Sequence, residues 1–130
     1  MRVAGQISRT VNLPDEFGRW FDLEELRDDR NGLRVLLRSR NGRLLWLSFG
    51  EALAYRTCEE GAYPELSGMI GRAASGLAVL KGASWAEEYV EFGGGLRTRD
   101  EFTHWAIGAS NYLIEVLCLE DPVIQPTGDH

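Results

Sequence analysis

Whatever reactive chemistry this sequence holds rests on one internal histidine, two cysteines and a few groups of carboxylates. His104 is the internal histidine, and Cys58 and Cys118 are the only thiols. A general acid–base pair needs a histidine within hydrogen-bond reach of a carboxylate. The stretch EFTHWAIGASNYLIEVLCLE supplies both residues. A Ser110-Asn111 loop folds it into a hairpin with Trp105, Ile107, Ile114, Val116 and Cys118 on one face. Phe102, His104, Ala106, Leu113, Glu115 and Leu117 fall on the other, which makes His104 and Glu115 diagonal neighbours. Two readings follow: an acid–base pair, or a polar spot on a partly solvated sheet face. The same register sends Cys118 away from His104, among Ile, Val and Trp, where a thiol is inert. Both cysteines are expected to be reduced and structural.

Other chemistry is poorly served. A zinc site needs three or four Cys, His or carboxylate ligands at workable spacing, and none is expected here. GMIGRAASG and GGGLRT match neither the P-loop nor the dinucleotide glycine pattern, so they read as loops and no cofactor is expected. Two carboxylate groups stand out: Glu59 and Glu60 with Glu65, and Glu87 and Glu88 with Glu91. Glycosidase chemistry needs a defined separation between two carboxylates, which this spacing does not set. Glu87 and Glu91 are like charges at i,i+4, mildly destabilising in a helix, a cost that a partner surface can justify. An alternative ligand site gathers Tyr55, Arg56 and His104 in one cleft.

These residues need elements to hold them. Asn41-Gly42 between apolar runs reads as a two-residue type I′ hairpin loop. It pairs Leu37 with Trp46, Leu36 with Leu47 and Val35 with Ser48. Leu33, Val35, Leu37 and Trp46 then share one face, while Leu36, Leu45, Leu47 and Phe49 share the other. A pair apolar on both faces is central in its sheet or covered. Gly50 suits a bulge, with strand continuing to about Thr57. Asp22 and Glu25 suggest a capping box and a short helix before Asn31-Gly32. Residues 65–83 are too rich in glycine for a stable helix, though Leu77, Val79 and Leu80 suit a short strand. Ser84 reads as the N-cap of a helix over WAEEYVEF, with Glu87 at the capping-box position. Trp85, Tyr89 and Phe92 share one face of that helix, and Gly93-Gly94-Gly95 stops it. Residues 1–13 form an arm or first strand, and 121–130 an irregular tail.

At 130 residues with 44% apolar side chains, the chain suits one domain with a single core. The net charge of −6 argues against a nucleic-acid binder. Residues 1–56 hold ten arginines against eight acids, whereas residues 57–130 hold three arginines and Lys81 against twelve acids. The acidity therefore belongs to the second half, either as ordinary solvated surface or as a face for a basic partner. The start of the sequence has no apolar signal-peptide core and no run approaches a bilayer span, so a cytoplasmic location is expected, without membrane contact.

Leu47-Ser48-Phe49, Ala54-Tyr55-Arg56, Glu59-Glu60, His104-Trp105-Ala106-Ile107, Leu113-Ile114-Glu115-Val116-Leu117 and Pro122 together resemble small uncharacterised bacterial α+β proteins. Some of those are immunity proteins encoded beside polymorphic or contact-dependent toxins. The resemblance covers residues 33–124 and implies binding of a cognate toxin, with no catalytic residue.

The expected architecture is α+β: one domain, an antiparallel sheet of four to six strands built from two hairpins, and one or two packed helices. The expected function is non-catalytic protein binding, concretely an immunity-type inhibitor of a basic toxin or effector, through Glu59, Glu60, Glu65, Glu87, Glu88 and Glu91. The alternatives are a small-molecule or enzymatic cleft at Tyr55, Arg56 and His104, and a self-associating module.

Overall fold

The computed structural model describes residues 4–17, 20–59, 66, 68, 70 and 76–127. Among the described residues, nine strands form two antiparallel sheets. They are β1 (Gln6–Thr10), β2 (Phe21–Asp29), β3 (Gly32–Ser39), β4 (Leu44–Gly50), β5 (Ala52–Glu59), β6 (Leu77–Lys81), β7 (Thr103–Gly108), β8 (Tyr112–Cys118) and β9 (Val123–Pro126). Sheet I has the order β1-β6-β7-β8-β5 and sheet II the order β2-β3-β4-β9. One helix, α1 (Ser84–Phe92), lies in the described residues at full length. The molecule is thus mostly β, α+β only in the coarse sense, and its two expected hairpins belong to different sheets. No helix of the described residues is long and apolar enough to cross a membrane.

The sheets pack face to face. Leu33, Val35, Leu37, Leu45, Leu47 and Phe49 of sheet II meet Leu77, Trp105, Ile107, Ile114, Val116 and Cys118 of sheet I. Period-two alternation in each strand delivers these side chains to one interior. Sheet I is also buried on its outer face. There Ala86, Phe102 and Leu117 form one cluster beneath α1, and Leu66, Ile70, Leu80, Ala106 and Leu113 form another. A sheet covered on both faces reads as near-continuous apolar sequence, as β7 and β8 do.

Several expectations change. The first hairpin closes over three residues: Ser39 N–H donates to Arg43 O at 2.8 Å and Gly42 N–H to Ser39 O at 3.0 Å. Gly42 has φ +87°, but among the described residues none other than glycine has positive φ, so Asn41 is not in the type I′ conformation. The extra loop residue shifts the register by one. Leu37 faces Leu45, Leu36 faces Trp46 and Val35 faces Leu47. Such a slip turns the whole strand over. All the buried leucines of β3 and β4 therefore share the core face. Leu36 and Trp46 lie outside it, with Arg27 and Arg34 over the Trp46 ring at 5.8 and 5.6 Å.

The Asp22–Glu25 segment is not a helix. It is strand β2, because eight of its nine residues pair along β3 and that ladder outweighs a local capping signal. The described part of the tail is not wholly irregular either, since Val123–Pro126 form β9 and pair with β4 at Leu45 to Ser48. Gly50 does bend the chain, at φ +67°, and carries it from sheet II into sheet I. Within residues 65–83, positions 65, 67, 69 and 71–75 lie outside the described residues, but Leu66, Gly68 and Ile70 are helical, against expectation. Burial of Leu66 and Ile70 on sheet I supplies what propensity lacks. The strand at Leu77–Lys81 and the helix at 84–92 form where expected. The N-cap, however, is Ala83, with no side-chain cap bond, and Ser84 is the first helical residue.

Candidate functional site

The β7–β8 hairpin has the expected register, with Ile107 facing Ile114 and Trp105 facing Val116. His104 and Glu115 are therefore diagonal on the outer face of sheet I. The pairing of β5 with β8 then sets Arg56 directly across from Glu115. Three strands thus bring one cation, one carboxylate and one imidazole to a single spot beneath the first turn of α1.

His104 Nε2 lies 2.8 Å from Glu115 Oε1, and Arg56 Nε donates to Glu115 Oε2 at 2.6 Å. Trp85 of α1 covers both partners. Its ring lies under the Arg56 guanidinium at 4.5 Å and edge-on to the His104 ring at 5.4 Å. His104 is 0% exposed and Glu115 3%, while the Arg56 side chain is 28% exposed. The spot is therefore not the half-solvated sheet face expected from the sequence.

Burial by itself pushes the Glu115 carboxyl upward. The hydrogen bonds from His104 and Arg56, with the Arg56 charge, overcome that effect and hold it below the ordinary carboxylate range. An ionised carboxylate only accepts, so Nε2 carries the His104 proton and donates it to Glu115. Nδ1 is buried without a hydrogen-bond partner. The cluster has the contacts of an acid–base dyad but no solvent-accessible imidazole to exchange a proton with substrate. What it visibly does is tie β5, β7, β8 and α1 together.

Tyr55 does not join Arg56 and His104. Adjacent residues of a strand point to opposite faces. Tyr55 leaves on the side of sheet II, where burial, then the charge and hydrogen bond of Asp28, raise its phenol. A groove of about 530 Å³ does reach His104 from behind, but its wall is Leu80, Lys81, Glu87, Arg99 and Thr103, with neither Tyr55 nor Arg56 on it.

The thiols separate as expected. Cys118 is buried in the intersheet core, donates to Glu120 O at 3.0 Å, and is pushed by burial up to about 12. Burial also raises Cys58, the Glu115 charge adds to this, and Arg56 opposes it. Neither is an activated nucleophile.

Of the six carboxylates expected to face a partner, Glu60 and Glu65 lie outside the described residues. Glu59 is exposed at the end of β5, five residues beyond Ala54, which packs under α1. At ~3.3 Å per residue it stands ~16 Å from that contact, apart from the α1 group. Glu87 and Glu91 are exposed on α1 and Glu88 is half-buried there. Beside them lies an apolar groove of about 420 Å³ lined by Trp85, Glu88, Tyr89, Phe92, Leu96 and Arg97. Phe92 is 81% and Leu96 87% exposed. The sequence signalled the shared face of Trp85, Tyr89 and Phe92, but not that its C-terminal end stays uncovered. Leu96, brought alongside by the glycine turn, carried no signal.

Comparison with family models, with curated proteins and with solved structures finds no match to this chain.

Proposed function

We propose that the chain is a non-catalytic protein-binding domain that docks its partner on the face carrying α1. The concrete form of this reading is an immunity-type inhibitor of a basic toxin or effector. The observation that carries it is the exposure of Phe92 and Leu96 side by side, next to a groove with Trp85 and Tyr89 in its walls. Large apolar side chains grouped at a concavity and rimmed by charge are how protein interfaces anchor themselves. The sealed His104–Glu115 pair and the two elevated thiols support the same reading, because they leave the obvious reactive groups engaged in structure.

The test is affinity capture from the source cell lysate at low salt, comparing wild type with Phe92→Ser/Leu96→Ser. The expected result is a protein retained by wild type and lost from the variant, with the melting temperature of the two domains unchanged. Retention of the same proteins by both would place binding elsewhere and remove the reading.

A further inference from the structure

The α1 groove has a definite chemistry. Trp85, Glu88, Tyr89 and Phe92 stand at i, i+3, i+4 and i+7, which is one stripe along a helix. Gly93 ends the helix, and Gly94 and Gly95 at φ +64° and +87° turn the chain so that Leu96 and Arg97 form the facing wall. The stripe runs from Trp85 to Phe92, seven helical rises or a length of ~10 Å. That is room for about two turns of a second helix lying alongside.

The charge around the groove is one-sided. Residues 84–101 carry five carboxylates against two guanidiniums. Both cations are engaged within the domain: Arg97 pairs with Glu101 at 3.4 Å, and Arg99 donates to Phe102 O at 3.0 Å and Leu80 O at 3.3 Å. Arg99 also sits 3.9 Å from Glu87. The last turn of α1 has no basic residue. Glu91 therefore lies at the negative end of the helix dipole, where a cation is favoured and an anion is not.

We infer that the groove receives a basic amphipathic helix of a partner protein, with large apolar side chains at helical spacing entering between Phe92 and Leu96 and Lys or Arg flanking them. This rests on the docking reading above and adds to it the chemistry of the occupant. The acidic rim disfavours a second copy, which would bring like charges together, and it disfavours anionic lipid.

Two synthetic peptides of ~18 residues, long enough to be partly helical alone, test it. Both carry Leu and Trp anchors at i, i+3, i+4 and i+7. One has Lys and Arg at every other position and the second has Glu there. Binding is read by backbone amide shifts of α1 in two-dimensional NMR. The basic peptide is expected to shift residues 85–97 and to bind roughly tenfold or more tightly than the acidic one, as buried apolar anchors and rim charge complementarity require. Binding should fall at least about tenfold with Phe92→Ala/Leu96→Ala, exposed positions that leave the fold intact, and weaken in ~1 M salt, where charges are screened beyond ~3 Å. If the acidic peptide binds equally well and still needs Phe92 and Leu96, the basic occupant is wrong and the docking surface stands. If the basic peptide binds the double variant as well as wild type, both fail. A concentration-dependent dimer abolished by Phe92→Ala would overturn the partner helix in favour of a second copy.

Discussion

Replacing Arg56 with methionine keeps most of the aliphatic volume over Trp85 and removes the charge and the donor bonded to Glu115 Oε2. Taking one partner from a buried ion pair typically costs roughly 3–5 kcal/mol, because the remaining charge stays desolvated. Two features reduce that figure here. The Arg56 side chain is more than a quarter exposed, so water already screens the pair. His104 also continues to donate to Oε1. The expected loss at pH 7 is therefore about 2–3 kcal/mol, equivalent to about 10 °C in melting temperature for a domain of this size. Its pH dependence is the diagnostic part. In wild type, Glu115 titrates below its ordinary 4.5, so its contribution is present above that pH and is lost as pH falls through the depressed value. Without Arg56, its hydrogen bond and charge no longer hold the carboxyl down and only His104 opposes burial, so Glu115 titrates higher than in wild type. The folded variant then takes up its proton at a higher pH than wild type does, and the penalty shrinks as pH falls through that range. Urea unfolding followed by tryptophan fluorescence at pH 7 and near pH 4.5 reads both quantities. A loss below about 0.5 kcal/mol, or one equal at the two pH values, would refute the electrostatic account. The equal loss would assign the effect to packing on Trp85.

Asn111→Ala removes two bonds that pin the β7–β8 turn to sheet II, where its side chain accepts from Leu23 N–H at 2.8 Å and donates to Leu23 O at 3.2 Å. A loss of about 1–2 kcal/mol is expected, with faster hydrogen exchange at the Leu23 amide, and unchanged exchange there would count against the pin. Gly32→Ala places a side chain at φ +102°, where its Cβ would lie 2.4 Å from Gly50 O, so a drop of about 2 kcal/mol or more in unfolding free energy is expected; a neutral result would mean that the β4–β5 bend yields freely. Native protein treated with a thiol reagent at pH 8 should leave Cys118 unmodified and label Cys58 slowly, with both reacting in denaturant; rapid native labelling of Cys118 would show that the sheets open.

What was legible in the sequence was local. The β7–β8 register, both faces of that hairpin and the His104–Glu115 diagonal follow from a short loop and period-two alternation, which need no distant partner. The span of α1 follows from helical spacing and a glycine stop. The first hairpin was located but turned over, because a three-residue loop and a two-residue loop both fit Arg40-Asn41-Gly42, and one residue of difference inverts a strand. The rest was decided by pairings across long separations. Strand β2 exists because β3 offers it an edge, and β9 because β4 does. Arg56 meets Glu115 across 59 residues only because Gly50 hands the chain from one sheet to the other. Trp85 closes that pair because α1 lies across β5, β7 and β8. Sequence spacing ranks apolar faces by type, but whether Phe92 and Leu96 are covered depends on what folds against them. In this domain the described residues leave them in water.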